Sequence, residues 1–283
     1  MISSATPIIS LCTNCYGRFG AEVAIERLAS AGLKWVELPL RTEGFITRAG
    51  DPPLLSTGAT GAEIDHVRRL LERYGVQISS CNILSGNPRD PRVVEITRQK
   101  LELASQLGVR LCVGDGGKSD APEDLAILHV HLRRIGDAAE KLGITYCCET
   151  HPGLCQHPAG MLETMQAVDH PHVRLNFDTA NVLYHNRDLD LYAALQKVLP
   201  FVRSIHLKDT PGGYQEYAFP ELGAGGAVDF ARVREIAIVG GFAGPWCIEI
   251  QGTAGEPDPS LEELQRRVTA SVQTLRNCGY FGE

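Results

Sequence analysis

The stretch VRLCVGDGGKSDAPEDLAILHVHLRRIGDAAEKLGITYCCET, residues 109–150, holds the unit from which the chain is built. VRLCVGDG (109–116) is a short apolar run that reads as a β-strand, and ITYCCET (144–150) is a second. Between them, APEDLAILHVHLRRIGDAAEKLG carries apolar residues at helical spacing and stops at Gly143, as helices often do at glycine. A strand, a helix and a strand in that order predict two parallel strands joined by a right-handed crossover.

The same rhythm runs outward in both directions. Toward the N-terminus lie the strand-like runs IISLCT (8–13), WVELPL (35–40) and VQISSCNI (76–83). They alternate with the helical patterns AEVAIERLASAG, closed by Gly32, and GAEIDHVRRLLERY (61–74), closed by Gly75. A third, PRVVEITRQKLELASQLG, has Pro91 near its start and Gly108 just past its end. Toward the C-terminus, ITYCCET precedes a helix near 159–168, and VRLNFDT (173–179) precedes DLDLYAALQKVLP. VRSIHLKD (202–209) leads through a long Gly-rich loop to DFARVREIAIVGG, and WCIEIQG (246–252) leads to SLEELQRRVTASVQTLRNCG. Eight strands alternating with eight helices predict a single α/β domain over residues 1–283, a closed (β/α)8 TIM barrel. A doubly wound open sheet is the competing architecture, but CTNCYGRFG after the first strand does not fit its GxGxxG turn. Residues 42–61 have no apolar period, and such a loop reads equally as a substrate-facing lid or a passive insertion.

Composition bounds the partners. The chain is 43% hydrophobic and 22% charged with both signs mixed, as globular proteins are. Its net charge of −7 lacks the basic footprint of a nucleic-acid binder. No apolar run approaches the roughly 18 residues that would span a bilayer, and MISSATPIIS shows no secretory pattern. The nine cysteines fall largely inside strand-like runs, which predicts buried thiols in a reducing cytoplasm. Cys12 and Cys15 form one CxxC, the spacing of a zinc knuckle or redox motif, but with no second pair and Cys12 inside the first strand they too are expected to be buried thiols.

Four of the later runs carry a polar residue near their carboxyl ends: Glu149, Asp178, His206 and Glu249. Barrel active sites gather at that end of the strands. Alternate residues of a strand face the same way. With Phe177, Ile205, Leu207, Trp246, Ile248 and Ile250 turned toward the helices, all four polar residues point inward. Three buried carboxylates cost several kcal/mol each unless they are compensated. A divalent cation held by Glu149, Asp178, His206 and Glu249 would do so; ion pairs with Lys208, Arg203 or Arg174 are the alternative. Hard oxygen donors favour Mn2+ or Mg2+, with Co2+ or Zn2+ also compatible. His129 and His131, two apart on a helix, face different ways and are expected to be structural.

The set ETHPG, NFDTAN, HLKD and EIQG, each closing a strand, resembles the xylose isomerase-like barrel superfamily of sugar phosphate isomerases and epimerases. The resemblance spans the chain at fold level and is most specific between about residues 144 and 252. FPELGAGGAVDF (219–230) resembles the family's LGEG…DF loop, with Ala224 in place of the acidic residue and an extra glycine. It implies that Glu149, Asp178, His206 and Glu249 are the metal ligands, with Glu149 and Glu249 also serving as the acid/base pair. His151, His185 and Lys208 are expected to contact substrate, Lys208 having a salt bridge to Glu149 or Asp209 as its alternative. Where the epimerases place a substrate histidine, three residues after the aspartate, this chain has Asn181. Glu37, at the end of the second strand, is expected to join a network at the barrel mouth. His66, His170 and His172 carry no functional expectation. The segment 252–255 is weighed as a phosphate site and lacks any basic residue.

The function expected is a metal-dependent sugar isomerase or epimerase working through an enediolate, on a small-molecule sugar or keto-sugar, with no nucleic-acid or membrane partner. An inosose dehydratase-like lyase is the first alternative. An endonuclease IV-like nuclease fits poorly, because the earlier strand ends supply Asn82 and Asp115 but no histidine. A non-catalytic sugar-binding barrel and a homo-oligomer both stay open.

Overall fold

Eight parallel strands close into a barrel in the computed structural model, which describes residues 7–45, 53–119 and 121–282. In chain order they are β1 (Ile9–Cys12), β2 (Trp35–Pro39), β3 (Gln77–Asn82), β4 (Leu111–Gly114), β5 (Thr145–Glu149), β6 (Val173–Asp178), β7 (Val202–Leu207) and β9 (Trp246–Ile248). A short antiparallel pair lies outside the barrel, β8 (Ala218–Phe219) and β10 (Gly252–Thr253). β9 pairs in parallel with both β7 and β1, which closes the wall.

Helices follow the strands: α1 (Gly20–Arg27), α2 (Gly61–Tyr74), α3 (Pro91–Gln106), α4 (Pro122–Lys141), α5 (Pro158–Val168), α6 (Asn181–Tyr184), α7 (Leu191–Val198), α8 (Phe230–Val239) and α9 (Leu261–Asn277). Their starts are set by side chains that satisfy otherwise orphaned backbone amides. Thr60 and Glu63 form a reciprocal capping box on α2, while Asp90, Asp190, Asp229 and Ser260 cap α3, α7, α8 and α9. α2 stops where Gly75 turns into the left-handed region at φ 63°. No helix among the described residues is long and apolar enough to cross a membrane.

Side-chain parity follows the sequence expectation. Phe177, Ile205, Trp246 and Ile248 are buried in the main core between strands and helices. Leu111, Val113 and Cys147 form a separate small cluster on the other face of β4 and β5. Cys148 belongs to the main core, so Cys147 and Glu149 share the inner face.

Two connections depart from the simple alternation. The last run, expected as one strand over 246–252, breaks after Ile248. Gly252 takes φ 77°, and the chain crosses to pair with Ala218–Phe219 at the barrel mouth. In the stretch 42–61, Arg41 bridges Ser56, and the Arg41 amide donates to the Leu55 carbonyl at 3.0 Å. That part folds back on the barrel end with Leu55 buried; residues 46–52 of the same stretch lie outside the described residues.

The loop after β7 is fastened by Asp209. Its carboxylate accepts from the amides of Thr210 (2.9 Å), Gly223 (2.9 Å) and Val228 (3.4 Å). Gly226 passes so close that a Cβ there would fall 1.9 Å from Asp209 Oδ1. Gly226→Ala is therefore expected to displace the carboxylate and cost about 1–3 kcal/mol through unsatisfied amides. Hydrogen exchange should show the Gly223 and Val228 amides losing protection, and unchanged protection would contradict this account.

Candidate metal centre

Glu149 ends β5, Asp178 ends β6, and His206 stands one residue before the end of β7. Glu249 lies just beyond β9, and its amide still donates to the Leu207 carbonyl at 3.0 Å, which holds it beside β7. Asp178 and His206 are direct register partners. The four side chains meet: one ligand-type atom from each lies within 4.8 Å of all the others, and all four residues are buried.

Each side chain is held in place through one atom. Asp178 Oδ1 accepts from the amides of Ala180 (2.8 Å) and Asn181 (2.7 Å) at the start of α6. Glu249 Oε1 accepts from the Gln251 amide nitrogen at 2.5 Å. Glu149 Oε1 lies 3.8 Å from His151 Nε2 and 3.3 Å from His206 Nδ1. His206 turns Nδ1 toward these carboxylates, 3.1 Å from Glu249 Oε2 and 3.9 Å from Asp178 Oδ2. Its other nitrogen, Nε2, faces Glu37 at 3.1 Å to Oε1 and 3.2 Å to Oε2. Glu37 is fully buried, and its Oε2 also accepts from the Ser80 hydroxyl at 2.8 Å.

Lys208 is buried beside them. Its Nζ donates to Asn181 Oδ1 at 3.2 Å and lies 3.5 Å from Glu249 Oε1 and 3.7 Å from Asp178 Oδ2. It also sits over the Phe219 ring, 4.3 Å from the centroid. The pairing is with Asp178 and Glu249, and Asp209 is instead committed to the loop backbone. His151 and His185 come together at the mouth, ring centroids 6.4 Å apart, and Tyr184 meets His185 edge to face at 4.7 Å. Tyr184, Tyr217 and Phe219 form an aromatic wall with centroids 5.0–6.4 Å apart.

The charges push one another far from their ordinary pKa values. Burial raises Asp178 to about 6, with Glu249 adding to the rise and Lys208 and His206 opposing it. Burial also opposes ionisation of Glu249 and Glu149, yet Lys208 and His206 for the former, and His151 and His206 for the latter, hold both below the usual range. For His206, burial is outweighed by Glu37, Glu149 and Glu249, which hold the imidazole well above its ordinary value. Burial, with His151 and Lys208, lowers His185 to about 4.

Glu149 Oε2, Asp178 Oδ2, Glu249 Oε2 and His206 Nδ1 are buried without a hydrogen-bond partner. Buried polar atoms without a well-formed hydrogen bond are rare, and here four of them converge from four strands on one point. Three carboxylates and an imidazole are the donor types that suit a divalent ion. The site residues fit one.

Of the other sequence candidates, Cys12 and Cys15 are buried free thiols; Cys15 donates to the Ile248 carbonyl and accepts from the Ile250 amide. Asp115 accepts from the Ser85 and Gly86 amides and lines a small recess of about 110 Å³ with His151. Gln251 holds Glu249 and Asn181 holds Lys208, two contacts that the sequence does not specify. The inward parity of Gln251 was the available clue.

A family model described as a xylose isomerase-like TIM barrel matches residues 25–272. No curated protein matches the chain. Solved structures do. A xylose isomerase-like TIM barrel protein from Mycobacterium smegmatis, in complex with magnesium, is 20% identical with a TM-score of 0.73, covering 97% of this chain and 98% of its own. D-Psicose 3-epimerase from Clostridium cellulolyticum, with D-tagatose, is 14% identical with a TM-score of 0.74, covering 95% and 98%. The probable 3-DHS dehydratase AsbF from Bacillus anthracis is 14% identical with a TM-score of 0.70, also covering 95% and 98%. At these identities the likeness establishes a shared barrel.

Removing Lys208 tests the electrostatics directly. Lys208→Met leaves Asp178 and Glu249 buried without their cation, and should cost the metal-free protein about 3–5 kcal/mol. The double variant with Glu249→Gln should lose less than the two single losses combined, since the pair is coupled. Urea denaturation of the four proteins measures both, and strict additivity would contradict the pairing.

Proposed function

The chain belongs to the xylose isomerase-like TIM barrel family, and from that premise we propose that it is a divalent-metal-dependent sugar isomerase or epimerase acting on a small sugar or keto-sugar. The observation that carries the proposal is the convergence of four buried ligand-type side chains, Glu149, Asp178, His206 and Glu249, whose facing atoms make no well-aligned hydrogen bond. Bound there, a divalent ion would polarise a substrate carbonyl and neighbouring hydroxyl and stabilise the negative charge of an enediolate. Mn2+ or Mg2+ suits the oxygen-rich set best.

The protein's own groups then divide the work. Asp178, with Oδ1 fixed by two amides, presents Oδ2 and serves as a ligand only. Glu149 and Glu249 approach His206 Nδ1 at 3.3 and 3.1 Å from separate strands. In the proposed reaction they act as the base that removes a proton beside the carbonyl and the acid that returns one. Lys208, held protonated by Glu249 and Asp178 despite its burial, offers a fixed positive charge to a substrate oxygen. His151 and the neutral His185 offer hydrogen bonds to hydroxyls from the rim. Free thiols throughout the described cysteines agree with a reducing compartment, and we place the enzyme in the cytoplasm.

Chelator-stripped protein, reloaded with single metals, should be incubated with ketoses, keto-inositols and hydroxypyruvate in heavy water. Deuterium beside the carbonyl of an isomeric product is expected. Loss of water would move the assignment to a lyase, and inertness across the panel would move it to a sugar-binding barrel. Glu149→Gln and Glu249→Gln should each lower turnover at least ~10²-fold, and near-normal turnover in both would refute the acid/base assignment. The metal-free His206 holds a proton above its ordinary pKa, and binding at Nδ1 must expel it. Apparent metal affinity should therefore rise with pH, with about one proton released near pH 7. Calorimetry in two buffers of different ionisation enthalpy measures that release.

A further inference from the structure

Glu37 is the one carboxylate of this cluster that stands outside the convergent set. It lies on the far side of the His206 ring, 169 residues away in sequence, on β2. Its two oxygens straddle His206 Nε2 at 3.1 and 3.2 Å, and Ser80 Oγ donates to Oε2 at 2.8 Å. Ser80 already donates to Glu37 Oε2, so this side chain acts as an acceptor, and the short contact is satisfied when Nε2 carries the hydrogen. The remaining nitrogen, Nδ1, is the one aimed at Glu149, Asp178 and Glu249.

We propose that Glu37 is a positioning residue for the metal site: it fixes His206 in the Nε2–H form and holds the ring so that the Nδ1 lone pair faces the ligand point. The inference rests on the metal-site reading above. When the ion displaces the Nδ1 proton, Glu37 keeps the ring's remaining hydrogen on Nε2; without Glu37 that single hydrogen is free to stay on Nδ1, facing Glu249 Oε2 and Glu149 Oε1, and the nitrogen would be lost as a ligand. Ser80 completes the device. Its hydroxyl holds one Glu37 oxygen, and full burial excludes water that would otherwise compete for Nε2–H. Outer partners of ligating histidines typically govern metal affinity in this way. The sign of the charge matters too. An anion behind the ring makes Nδ1 a stronger donor, which an amide at the same place would do less well.

The test uses the full chain stripped of metal, with cobalt uptake measured against a competing chelator for the unsubstituted protein, Glu37→Gln, Glu37→Ala and Ser80→Ala. Glu37→Ala should bind cobalt about 10–100-fold more weakly. Glu37→Gln keeps an acceptor without the charge and should fall between it and the unsubstituted protein. Histidine 15N spectra of the zinc-loaded protein supply a readout that a structural role would not move. They should show His206 metallated at Nδ1 and protonated at Nε2, with the Nε2 proton shifted far downfield in the unsubstituted protein and less so in Glu37→Gln. Folded Glu37→Gln with unchanged affinity and an unchanged proton shift would overturn the inference, as would metallation at Nε2. If Glu37→Ala does not fold, Glu37→Gln and Ser80→Ala decide. Failure of the unsubstituted protein to take up cobalt or zinc would instead strike the metal-site reading itself.

Discussion

Glu37, Glu149, Asp178 and Glu249 are carboxylates buried together around one imidazole, and the mouth of the barrel is organised by their mutual repulsion. Lys208, His206 and His151 stand within 4 Å of them. Each buried charge carries an effective desolvation cost of several kcal/mol, so the cluster survives only because every member is tethered. Asp178 is held by two backbone amides, Glu249 by Gln251 and Lys208, Glu37 by Ser80, and Glu149 by the histidines on either side. One atom of each is committed to the scaffold. In Glu149, Asp178 and Glu249 the other oxygen points at the same place, whereas Glu37 faces His206 Nε2 from behind the ring.

A closed parallel barrel makes that possible with little irregular backbone. The strand period of two turns Cys147 and Glu149 to the inside and Cys148 to the helices, and it does the same for Asn176 and Asp178 around Phe177. A register shift between Leu175 and Asn176 then brings Asp178 level with His206. Without that irregularity the two would be offset by one residue, and the pairing of ligand atoms would be lost. Closure through β9 and β1 brings β2 round to the far side of His206, which is how Glu37 reaches Nε2 from the first quarter of the chain.

The same period explains what was legible in the sequence. Strands, helices and the four inward residues all follow from spacing, and glycines and prolines at helix ends located the boundaries of α2, α3 and α4 to within a residue or two. That Lys208 does not pair with Asp209 follows from the same rule. Residues 206 and 208 share a face, so Asp209 had to turn away from Lys208, and it fastens the Gly223 and Val228 amides instead. The contact between Glu37 and His206 was not readable, because it depends on where a closed sheet brings two distant strands. Nor was the break after Ile248: WCIEIQG has the apolar pattern of a continuous strand, and only the pairing of Gly252 with Phe219 shows that the chain has left the wall.

Strand ends and loops contribute different things to this mouth, and Lys208 is where they join. The charged atoms sit on strands, where the ladder fixes them. The surfaces above them, Tyr184, His185, Tyr217 and Phe219, come from the segments that follow β6 and β7. Lys208 lies one residue beyond β7, with its ammonium between the Asp178 and Glu249 carboxylates on one side and the Phe219 ring on the other. Phe219 is itself placed by the β8–β10 pair, and β10 follows Glu249 by three residues. A shift of that outer pair would therefore move the aromatic ring, the lysine charge and the backbone carrying Gln251 together. Gln251 holds Glu249 at 2.5 Å, so the loop that shapes the mouth is mechanically tied to one of the four converging residues.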